Sequence, residues 1–331
     1  MKILITGGSG FIGAHLAALC VHHDHVTHIC DNNSRGQADK MISDLTSRSN
    51  VEFIKKDLTR FEDVATLDKD YDIVFHLAAI NGTENFYNVP FTVMEVAIES
   101  TLHMLRHFRD STTKFVFSSS SEVYAGTVKT NQSLIPSKED IACTIEDVTN
   151  ERFSYGGSKL ACELLINSYH KQYGLDYQII RYHNIYGPRM GTKHVMPQLI
   201  KRAKDGESPF NIYGAYQTRA FCYIDDATAA TLELSLLPVN GIFHIGNDLE
   251  EVQIIEVADI ITEWYSMENN YSIAPAPLGS VQRRCPNISK LKKNINYAPQ
   301  INLKTGIKKT IEWYNEWYAS EEYQKMEKGL L

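Results

Sequence analysis

Short apolar runs separated by longer amphipathic stretches organise the first half of the chain. Five runs rich in β-branched and aromatic residues have the length of strands, namely KILIT, HVTHICD, VEFIKKD, DIVFHLAA and KFVFSSS. Helical stretches are predicted between them, beginning near Phe11, Gln37, Arg60 and Pro90. Strands that alternate with helices form right-handed βαβ units, which predicts a parallel sheet covered by helices on both faces.

The pattern loosens in the second half. A long amphipathic helix is predicted from Arg152 to Tyr173, and the strand DYQIIRY follows it. After Asn184, glycine and proline are scattered among short helices and isolated strands until LKTGIKKTIEWYNEWY closes the chain as a helix. We predict an α/β fold: a doubly wound parallel sheet over residues 1–181 and a smaller mixed α/β C-terminal domain over 182–331, with segments near 215–246 returning to the first domain.

Composition and charge exclude several classes of protein. Apolar residues make up 43% of 331 positions and charged residues 22%, as in an ordinary globular chain. The net charge of −7 is spread along the sequence and predicts no nucleic-acid surface. No apolar run reaches the ~20 residues that span a bilayer, and MKILITGG is typical of a strand rather than a secretory signal. Cysteines without framework spacing predict reduced thiols and a cytoplasmic protein.

The segment ITGGSGFIGAHL places Gly8, Gly10 and Gly13 at G-x-G-x-x-G spacing between a strand and a helix. Such glycines allow a tight turn and close approach to a pyrophosphate, and the helix N-terminus offers unpaired N–H groups. The next strand ends at Asp31, where an acid binds a ribose 2′-hydroxyl and repels a 2′-phosphate. We therefore predict a Rossmann-type site for NAD rather than NADP, although Arg35 is a residue type that accepts a 2′-phosphate. Glycines that serve turns alone, or mononucleotide or flavin binding, are the alternatives.

The segment YGGSK puts Tyr155 and Lys159 at positions i and i+4, on one face of the long helix. A free tyrosine loses its proton near pH ~10, and a nearby ammonium favours the phenolate. With the serine-rich strand end SSSSEVY, the tyrosine is a candidate base that takes an alcohol proton while a hydride leaves for a nicotinamide. Without that context the spacing would indicate only a surface pair.

In this order the motifs resemble those of the extended short-chain dehydrogenase/reductases, and among them the NAD-dependent nucleotide-sugar epimerases and dehydratases. The resemblance runs nearly end to end, through the TGGxGxxG loop, DNNSRG, KKDL, HLAA, the serine strand end, YxxxK, RYHNIYGP, QTRAFCYIDDA, HIGN and RRCPNISKLKK. It implies oxidation of a sugar hydroxyl, usually at C4, by bound NAD that is recycled. It also implies a nucleoside-diphosphate sugar as the substrate of the C-terminal domain, and a homodimer.

The resemblance implies roles for individual residues. Ser120 corresponds to the hydroxyl that hydrogen-bonds the reacting alcohol, Tyr155 to the base, and Lys159 to the group that binds the nicotinamide ribose and lowers the tyrosine pKa. The implied NAD contacts are Gly7, Gly10, Phe11, Ile12, Gly13, Asp31, Asn32, Ser34, Arg35, Asp57, Leu58, Leu77, Ala78, Ala79, Ser118, Tyr155, Lys159 and Tyr182. The implied substrate contacts are Asn81, Gly82, Thr83, Ser121, Asn184, His194, Val195, Arg219, Arg283 and Arg284. Within that set Asn184, Arg219 and one of the two adjacent arginines correspond to diphosphate contacts.

Glu122 leaves the fate of the 4-keto sugar open. Simple 4-epimerases usually carry an uncharged residue there, whereas dehydratases and decarboxylating relatives carry S/T-x-E-x-Y, in which the dehydratase glutamate takes the C5 proton. Ser121 stands where some dehydratases have an aspartate acid, and the loss of that acid weakens the dehydratase prediction. A 3,5-epimerase branch is also similar, with Lys193 or His194 as the opposite-face partner. A carboxylate that only orients Tyr155 or faces water is the remaining alternative.

Three functions follow from these observations. We predict a nucleotide-sugar epimerase, with a 4,6-dehydratase that uses Glu122 as the alternative. A non-catalytic NAD-binding protein is the third hypothesis, and the presence of both Tyr155 and Lys159 disfavours it.

Two further patterns have a structural interpretation. The segment CVHHDHVTHIC suggests a metal, but its histidine spacing fits no zinc template, so we predict a solvated loop and no metal site. The apolar stripe Leu160, Leu164 and Leu165 fits a four-helix dimer interface formed with the helix that begins at Pro90, and equally fits sheet-facing core.

Overall fold

The computed structural model describes residues 1–34, 39–276, 279–321 and 323–324. Its first half alternates between strands and helices. The strands are β1 (Lys2–Thr6), β2 (Val26–Asp31), β3 (Val51–Lys55), β4 (Ile73–His76), β5 (Lys114–Ser120) and β6 (Tyr177–Tyr182). The helices are α1 (Phe11–His22), α2 (Lys40–Thr46), α3 (Phe61–Val64), α4 (Thr83–Asn88), α5 (Pro90–Phe108), α6 (Ala125–Thr130) and α7 (Phe153–Tyr173), with 3-10 turns at Ser121–Tyr124 and Gln132–Leu134.

Shorter elements follow in the second half. The strands are β7 (Ile185–Tyr186), β8 (Phe210–Tyr213), β9 (Thr218–Ala220), β10 (Cys222–Tyr223), β11 (Gly241–Ile245), β12 (Glu251–Gln253), β13 (Tyr271–Ala274) and β14 (Arg283–Arg284). The helices are α8 (Val195–Lys204), α9 (Ile224–Ser235), α10 (Ile254–Trp264), α11 (Ser289–Asn294) and α12 (Leu303–Ala319). The predicted C-terminal helix is therefore present, whereas the start predicted near Gln37 lies outside the described residues.

Seven parallel strands form the central sheet, in the order β11-β6-β5-β4-β1-β2-β3. This confirms the predicted doubly wound parallel sheet. The strand order reverses between β1 and β4, and the carboxyl ends of the strands at such a switch point form the crevice where α/β sheets bind ligands. Strand β11 comes from residues 241–245, so the chain returns to the sheet after leaving it at β6.

Apolar side chains cover both faces of this sheet because successive residues of a strand point to opposite sides. Ile3 and Ile5 of β1 lie in the core on the side of α1 and α9, whereas Leu4 lies in the core on the side of α5 and α7. All three side chains are fully buried. Each contributes about 1.5–3 kcal/mol relative to an exposed position.

Helix α7 differs from the simple amphipathic helix that we predicted. Its buried face carries Ser154, Ser158, Lys159 and Glu163 beside Cys162 and Ile166. The reason is that this face covers the carboxyl end of β5, where hydroxyl and charged groups find polar partners instead of apolar core. Gly174 ends the helix in a left-handed conformation with φ +75°.

The second half adds a smaller unit beside the sheet. Strands β12, β9 and β14 form a three-stranded sheet, and β8 pairs with β13. Helices α8, α10 and α12 pack against one another and against these strands. The unit positions the arginines of β9 and β14 opposite the end of β5. No helix within the described ranges is both long and apolar enough to cross a membrane.

Candidate active site

The glycine-rich loop after β1 follows the predicted motif with one difference: the left-handed turn residue is Gly7, whereas the predicted Gly8 packs closely against Ile5 and Ile29. Gly7 has φ +66°, and a Cβ at this position would lie 2.7 Å from the amide nitrogen of Ala78, just after β4. A Cβ on Gly13 would collide with the carbonyl oxygen of Gly7. A Cβ on Gly10 would lie 3.1 Å from the Gly7 carbonyl oxygen and would meet no other nearby atom. The loop is therefore closed at the turn, tight against the helix and most open at Gly10, which fits a bound dinucleotide.

Helix α1 begins beside this open side. Its N-cap is Gly10, which provides no side-chain cap, and its first turn contains no acidic residue. The amide of Ala14 makes the first intrahelical bond, to the Gly10 carbonyl at 3.1 Å. The N–H groups of Phe11, Ile12 and Gly13 are those that a helix leaves without an intrahelical partner. Such donors at a positive dipole end bind phosphate.

The loop after β2 is organised around Asp31. One carboxylate oxygen accepts from the Ser9 amide at 3.2 Å, and the other accepts from the backbone amide two residues further on at 2.8 Å. Asn32 accepts from the Ser34 amide at 2.9 Å. These bonds hold the carboxylate at the edge of the glycine-rich loop, where a ribose is expected. The predicted contact Arg35 lies outside the described residues.

The other predicted cofactor contacts lie in different surroundings, some hydrogen-bonded to neighbours and others buried or half-buried. Asp57 accepts from the amide and hydroxyl of Thr59 at 3.0 and 2.8 Å. The Leu58 side chain is buried in the core on the side of α5 and α7. The hydroxyl of Tyr182 is bonded to Thr231 of α9 at 2.8 Å. Half-buried positions at the ends of β4 and β5 are occupied by Leu77, Ala78, Ala79 and Ser118.

Ser120 and Tyr155 come from two elements that pack closely together. Ser120 ends β5, and its hydroxyl accepts from the Glu122 amide at 3.2 Å. Gly156, next to the tyrosine, packs on this turn so tightly that a Cβ would lie 2.7 Å from the Glu122 carbonyl oxygen. The tyrosine ring is 7% exposed and stacks on Phe86 of α4, with centroids 4.8 Å apart and planes at 10°. The tyrosine ring thus packs on α4, and the helical turn that carries it packs on the turn after β5.

Lys159 lies one helical turn further along α7. It is fully buried, with its ammonium 4.7 Å from the centre of the Phe117 ring and 5.7 Å from that of Tyr155. Burial lowers the pKa of Lys159 to about 8, although Cys162 and Glu163 act in the opposite direction. The group is still mostly protonated at neutral pH, and an ammonium beside a phenol favours the phenolate.

A buried polar network below these residues was not predicted. Arg181 of β6 donates two hydrogen bonds to Glu163 of α7, at 2.9 and 2.5 Å. Ser119 of β5 donates to the same carboxylate at 2.5 Å. Tyr124 bonds to Arg181 and lies 2.9 Å from His244 of β11. The network ties α7 to three neighbouring strands of the sheet.

Glu122 is enclosed by arginines. One carboxylate oxygen accepts from Arg284 of β14 at 2.7 Å, and the other from Arg152 at 3.4 Å. Burial alone would raise the pKa of Glu122, but Arg284 and Arg152 outweigh it and lower the pKa to about 2. The carboxylate is therefore ionised across the physiological range. Arg152, which precedes α7, is a site residue that our sequence reasoning missed.

The adjacent arginines of β14 point to opposite sides of their strand. Arg283 pairs with Glu251 of β12 at 2.7 and 2.8 Å and is 40% exposed, whereas Arg284 faces Glu122 and is 11% exposed. Arg219 of β9 lies on the same side as Arg284, near Glu122. Burial together with the nearby Arg284 lowers the pKa of Arg219 to about 9. The predicted pair is thus divided between two environments, of which only that of Arg284 adjoins the end of β5.

Most of the remaining predicted substrate contacts lie in the segments around α4, β7 and α8. Asn184 has φ +44°, and its side-chain amide donates to the Ala220 carbonyl at 3.1 Å. Glu84 of α4 pairs with Lys193, just before α8, at 2.6 Å. This pair joins the two segments that contain Asn81, Gly82, Thr83, His194 and Val195, while Ser121 is buried in the turn after β5.

The segment CVHHDHVTHIC is only partly the solvated loop that we predicted: His23 and His25 lie between α1 and β2, whereas His28 is buried in β2. No group of three or more His, Cys, Asp or Glu side chains in the described part of the chain is arranged to hold a metal ion. His28 instead bonds to the Tyr71 hydroxyl at 2.8 Å.

Comparison with known proteins agrees with the fold and the site geometry. The model of the NAD dependent epimerase/dehydratase family matches residues 3–246. A UDP-N-acetyl-alpha-D-glucosaminuronate decarboxylase of Bacillus cytotoxicus is 32% identical over 95% of this chain and 98% of its own length. A UDP-glucuronate 4-epimerase of Thermodesulfobacterium geofontis is 29% identical over 95% of this chain and 96% of its own.

Solved structures extend this similarity. The UDP-N-acetylglucosamine 4-epimerase of Methanobrevibacter ruminantium, in complex with UDP-N-acetylmuramic acid, superposes with a TM-score of 0.84 at 28% identity, covering 96% of this chain and 98% of that one. The UDP-glucuronic acid 4-epimerase of Bacillus cereus, in complex with UDP-glucuronic acid and NAD, gives 0.83 at 26% identity, covering 96% and 100%. This chain therefore belongs to the NAD-dependent epimerase/dehydratase family, and its cofactor is NAD.

Proposed function

We propose that the protein is a UDP-sugar 4-epimerase that works by reversible oxidation at C4. The observation that carries this proposal is the position of Tyr155, held by Phe86 and the end of β5 beside the buried ammonium of Lys159. This arrangement lies at the carboxyl ends of strands that adjoin the glycine-rich loop. A base, a hydroxyl and a dinucleotide cradle thus share one edge of the sheet.

Each residue has a defined task in the proposed reaction. Tyr155 takes the proton of the C4 hydroxyl, and Ser120 hydrogen-bonds the same oxygen. Lys159 stabilises the phenolate that the base requires. NAD held by the glycine-rich loop and Asp31 would supply a reversible hydride acceptor for C4, while Tyr155 returns the proton to the C4 oxygen. The sugar is inverted at C4 with no net oxidation.

The arginine group fits an anionic substrate. Arg152, Arg219 and Arg284 contribute three positive charges against the single carboxylate of Glu122. The Nε and Nη2 atoms of Arg284 and the Nε atom of Arg152 are buried and have no hydrogen-bond partner among the described residues. Buried guanidinium donors without partners are costly, so a ligand with anionic oxygens is the natural complement. The diphosphate of a UDP-sugar supplies such oxygens, and UDP is the nucleotide named for the relatives above.

Decarboxylation of a UDP-uronic acid is a second candidate. Oxidation at C4 would make a C5 carboxylate β to a ketone, and such an acid loses carbon dioxide when its carboxylate is desolvated. The excess of guanidinium groups around Glu122 favours a substrate that carries this additional carboxylate. Several relatives, including the decarboxylase of B. cytotoxicus, are named for uronic acid substrates.

The same geometry disfavours the dehydratase alternative. A carboxylate that pairs with two arginines and has a pKa of about 2 is a weak base for removal of the C5 proton. We therefore expect Glu122→Gln to keep C4 oxidation within about tenfold of the original rate, far less than the 10²–10⁴-fold that loss of a general base costs. Formation of bound NADH and the NMR spectrum of the product measure this directly.

The matched control for that variant is Glu251→Gln, which removes the carboxylate partner of the neighbouring Arg283. A dehydratase would respond differently: Glu122→Gln would still form NADH but would lose the 4-keto-6-deoxy product completely. That result would replace the epimerase proposal with elimination.

Product identification distinguishes the proposed reactions. The purified protein is incubated in D₂O with UDP-glucose, UDP-N-acetylglucosamine and UDP-glucuronic acid, and the ring protons are followed by NMR. A 4-epimerase yields the C4 epimer without deuterium at C5, whereas a decarboxylase releases carbon dioxide and incorporates deuterium at C5. Absence of any change with the whole panel would contradict a UDP-sugar substrate.

We also propose a homodimer formed through α5 and α7, which pack side by side. Leu164 is 64% exposed, whereas Leu160 and Leu165 of the predicted stripe are half-buried against the core. On α5, Phe91 is 74% exposed and Met94 lies one turn away. Leu164→Glu is expected to shift the dimer to monomer in light scattering after size exclusion. Val148→Glu, at an apolar residue exposed elsewhere, should leave the mass unchanged, and a dimeric Leu164→Glu would contradict this interface.

A further inference from the structure

A loop from outside the central sheet reaches the glycine-rich loop. Residues 187–190 follow β7 and lie against the N-terminus of α1. Within this loop Arg189 is 8% exposed and has φ +65°, a left-handed conformation that non-glycine residues seldom adopt. Such a conformation persists where surrounding contacts hold it, and these contacts identify what the residue does.

The guanidinium of Arg189 donates hydrogen bonds to three described residues. Nη2 donates to the carbonyl oxygen of Ser9 at 3.2 Å, and Nη1 donates to that of Gly10 at 3.1 Å. Nε donates to Asp39 at 2.6 Å. Asp39 is itself 7% exposed and caps α2 by accepting from the Ile42 amide at 3.2 Å. One side chain thus connects the glycine-rich loop to the helix that follows β2.

These bonds reinforce the direction of the phosphate-binding amides. The C=O and N–H groups of a trans peptide point in opposite directions, so fixing one fixes the other. The carbonyl of Gly10 shares its peptide with the N–H of Phe11, and it accepts both from the Ala14 amide, as the first bond of α1, and from Arg189. The Phe11 amide is therefore directed toward the open side of the loop, where a pyrophosphate is bound in this fold.

The charges indicate that Arg189 orients the glycine-rich loop rather than attracting the phosphate directly. The positive charge of Arg189 is neutralised by the buried carboxylate of Asp39 at 2.6 Å. The planar guanidinium can meet both carbonyl oxygens and the carboxylate at once, whereas the ammonium of a lysine is a point charge on a flexible stem. Arginine is therefore required at this position for its shape as well as its charge.

Neighbouring contacts keep the loop in place. His15 of α1 lies 3.0 Å from the carbonyl oxygen of Pro188, and because a carbonyl only accepts, Nε2 carries the hydrogen. On the other side the hydroxyl of Tyr314 in α12 donates to the carbonyl oxygen of Met190. The loop is thus held between the first and last helices of the fold.

We propose that Arg189, anchored by Asp39, is a positioning residue for NAD that sets the amide groups of the glycine-rich loop for the pyrophosphate. This role concerns the cofactor alone and does not depend on which sugar is converted. It predicts that changes at residues 187–190, far away in sequence, alter dinucleotide affinity.

The test is NAD binding to the full-length, NAD-free protein, measured by calorimetry with NAD as the probe. Arg189→Ala is expected to weaken binding about tenfold or more, the size that follows from losing several charge-assisted hydrogen bonds. Arg189→Lys and Asp39→Asn should show intermediate losses and keep the fold intact. Hydrogen exchange of the amides of residues 10–14 in the NAD-free protein should become faster in all three variants.

A matched control separates positioning from general destabilisation. Phe108→Ala opens a cavity at a fully buried position at the end of α5, in the core on the other side of the sheet from α1. It should lower the thermal midpoint but leave NAD affinity within about twofold of the original value. Two results would overturn the proposal: unchanged NAD affinity in folded Arg189→Lys and Asp39→Asn proteins, or an equal loss of affinity in Phe108→Ala.

Discussion

Replacing Tyr155 by phenylalanine is expected to stop turnover of the UDP-sugar while leaving both ligands bound. The substitution removes only the hydroxyl, so the ring keeps its stack on Phe86. Without the phenol no group at this position takes the C4 proton, and general-base catalysis contributes about 10²–10⁴-fold to a rate. We expect turnover, followed by NMR, to fall by that factor, and NADH formation on mixing with substrate to disappear.

The matched control for this variant is Tyr173→Phe, at the exposed end of the same helix. It should keep full activity. NAD and UDP affinities should stay within about threefold of the original in both proteins, because neither change touches a phosphate contact. A Tyr155→Phe protein that retains more than about a tenth of the original turnover would exclude the phenol as the base.

Replacing Lys159 by methionine is expected to raise the free energy of unfolding of the NAD-free protein. The same substitution should abolish turnover by the NAD-bound protein. Burial lowers the lysine pKa from 10.5 to about 8, so the unfolded chain holds this proton more tightly than the folded protein. At neutral pH the buried charge therefore costs about 3 kcal/mol of the free energy of unfolding. Methionine fills similar space without that cost, and we expect a gain of about 1–3 kcal/mol in urea unfolding.

The pH dependence of the free energy of unfolding tests the direction of this effect. The penalty is complete below about pH 8 and is relieved between about pH 8 and 10.5, where the unfolded chain binds the proton and the folded protein does not. The stability difference between Lys159→Met and the original protein should therefore shrink as pH rises through this window. Lys171→Met, at an exposed position of the same helix, should show neither the gain nor the pH dependence. A destabilised Lys159→Met protein would contradict the unfavourable burial of this charge.

The expected gain in stability and loss of activity of Lys159→Met together show that the site is functional at the expense of stability. In the proposed reaction Lys159 would act through its positive charge beside Tyr155, and the same charge is unfavourable in a buried site. Functional sites commonly retain such unfavourable groups, and removal of the group then stabilises the fold. Bound NAD would provide ribose hydroxyls as partners, so the gain is expected in the NAD-free protein.

Features determined by local pattern were predicted from the sequence. The alternation of apolar runs with helical stretches indicated the parallel sheet, because both faces of its strands are buried. The glycine spacing after β1 predicted the tight contact at Gly13, which involves Gly7 and Gly8 of the same loop. It assigned the turn to Gly8, whereas the left-handed residue is Gly7, whose position depends on the approach of Ala78, just after β4. The spacing of Tyr155 and Lys159 likewise follows from one helix, and both lie buried at the end of β5.

Features that depend on distant contacts were not predicted. The partners of Glu122 are 30 and 162 residues away, so their effect on its pKa has no local signature. Arg283 and Arg284 are adjacent in sequence, and the pairing of β14 with β9 decides that Arg284 faces Glu122. The contact between Arg189 and Asp39 spans 150 residues and depends on how the 187–190 loop lies on α1.

One missed feature did have a signal in the sequence. Arg181 lies in the predicted strand DYQIIRY, and a charge in a strand of a sheet covered on both faces requires a partner. Glu163 is four residues after Lys159 on the same face of α7 and is a carboxylate available to it. We did not draw this inference from the sequence, and the structure contains the buried pair at 2.5 Å.

The central claim is that a hydride leaves C4 of the sugar, resides on enzyme-bound NAD and returns to C4. The most direct measurement uses a UDP-sugar substrate deuterated at C4, with the NADH absorbance recorded during turnover and the label located afterwards by NMR. The account predicts transient NADH absorbance and deuterium retained at C4 of the product, with none in the solvent. Loss of the deuterium to water, or full turnover by protein stripped of NAD, would contradict it.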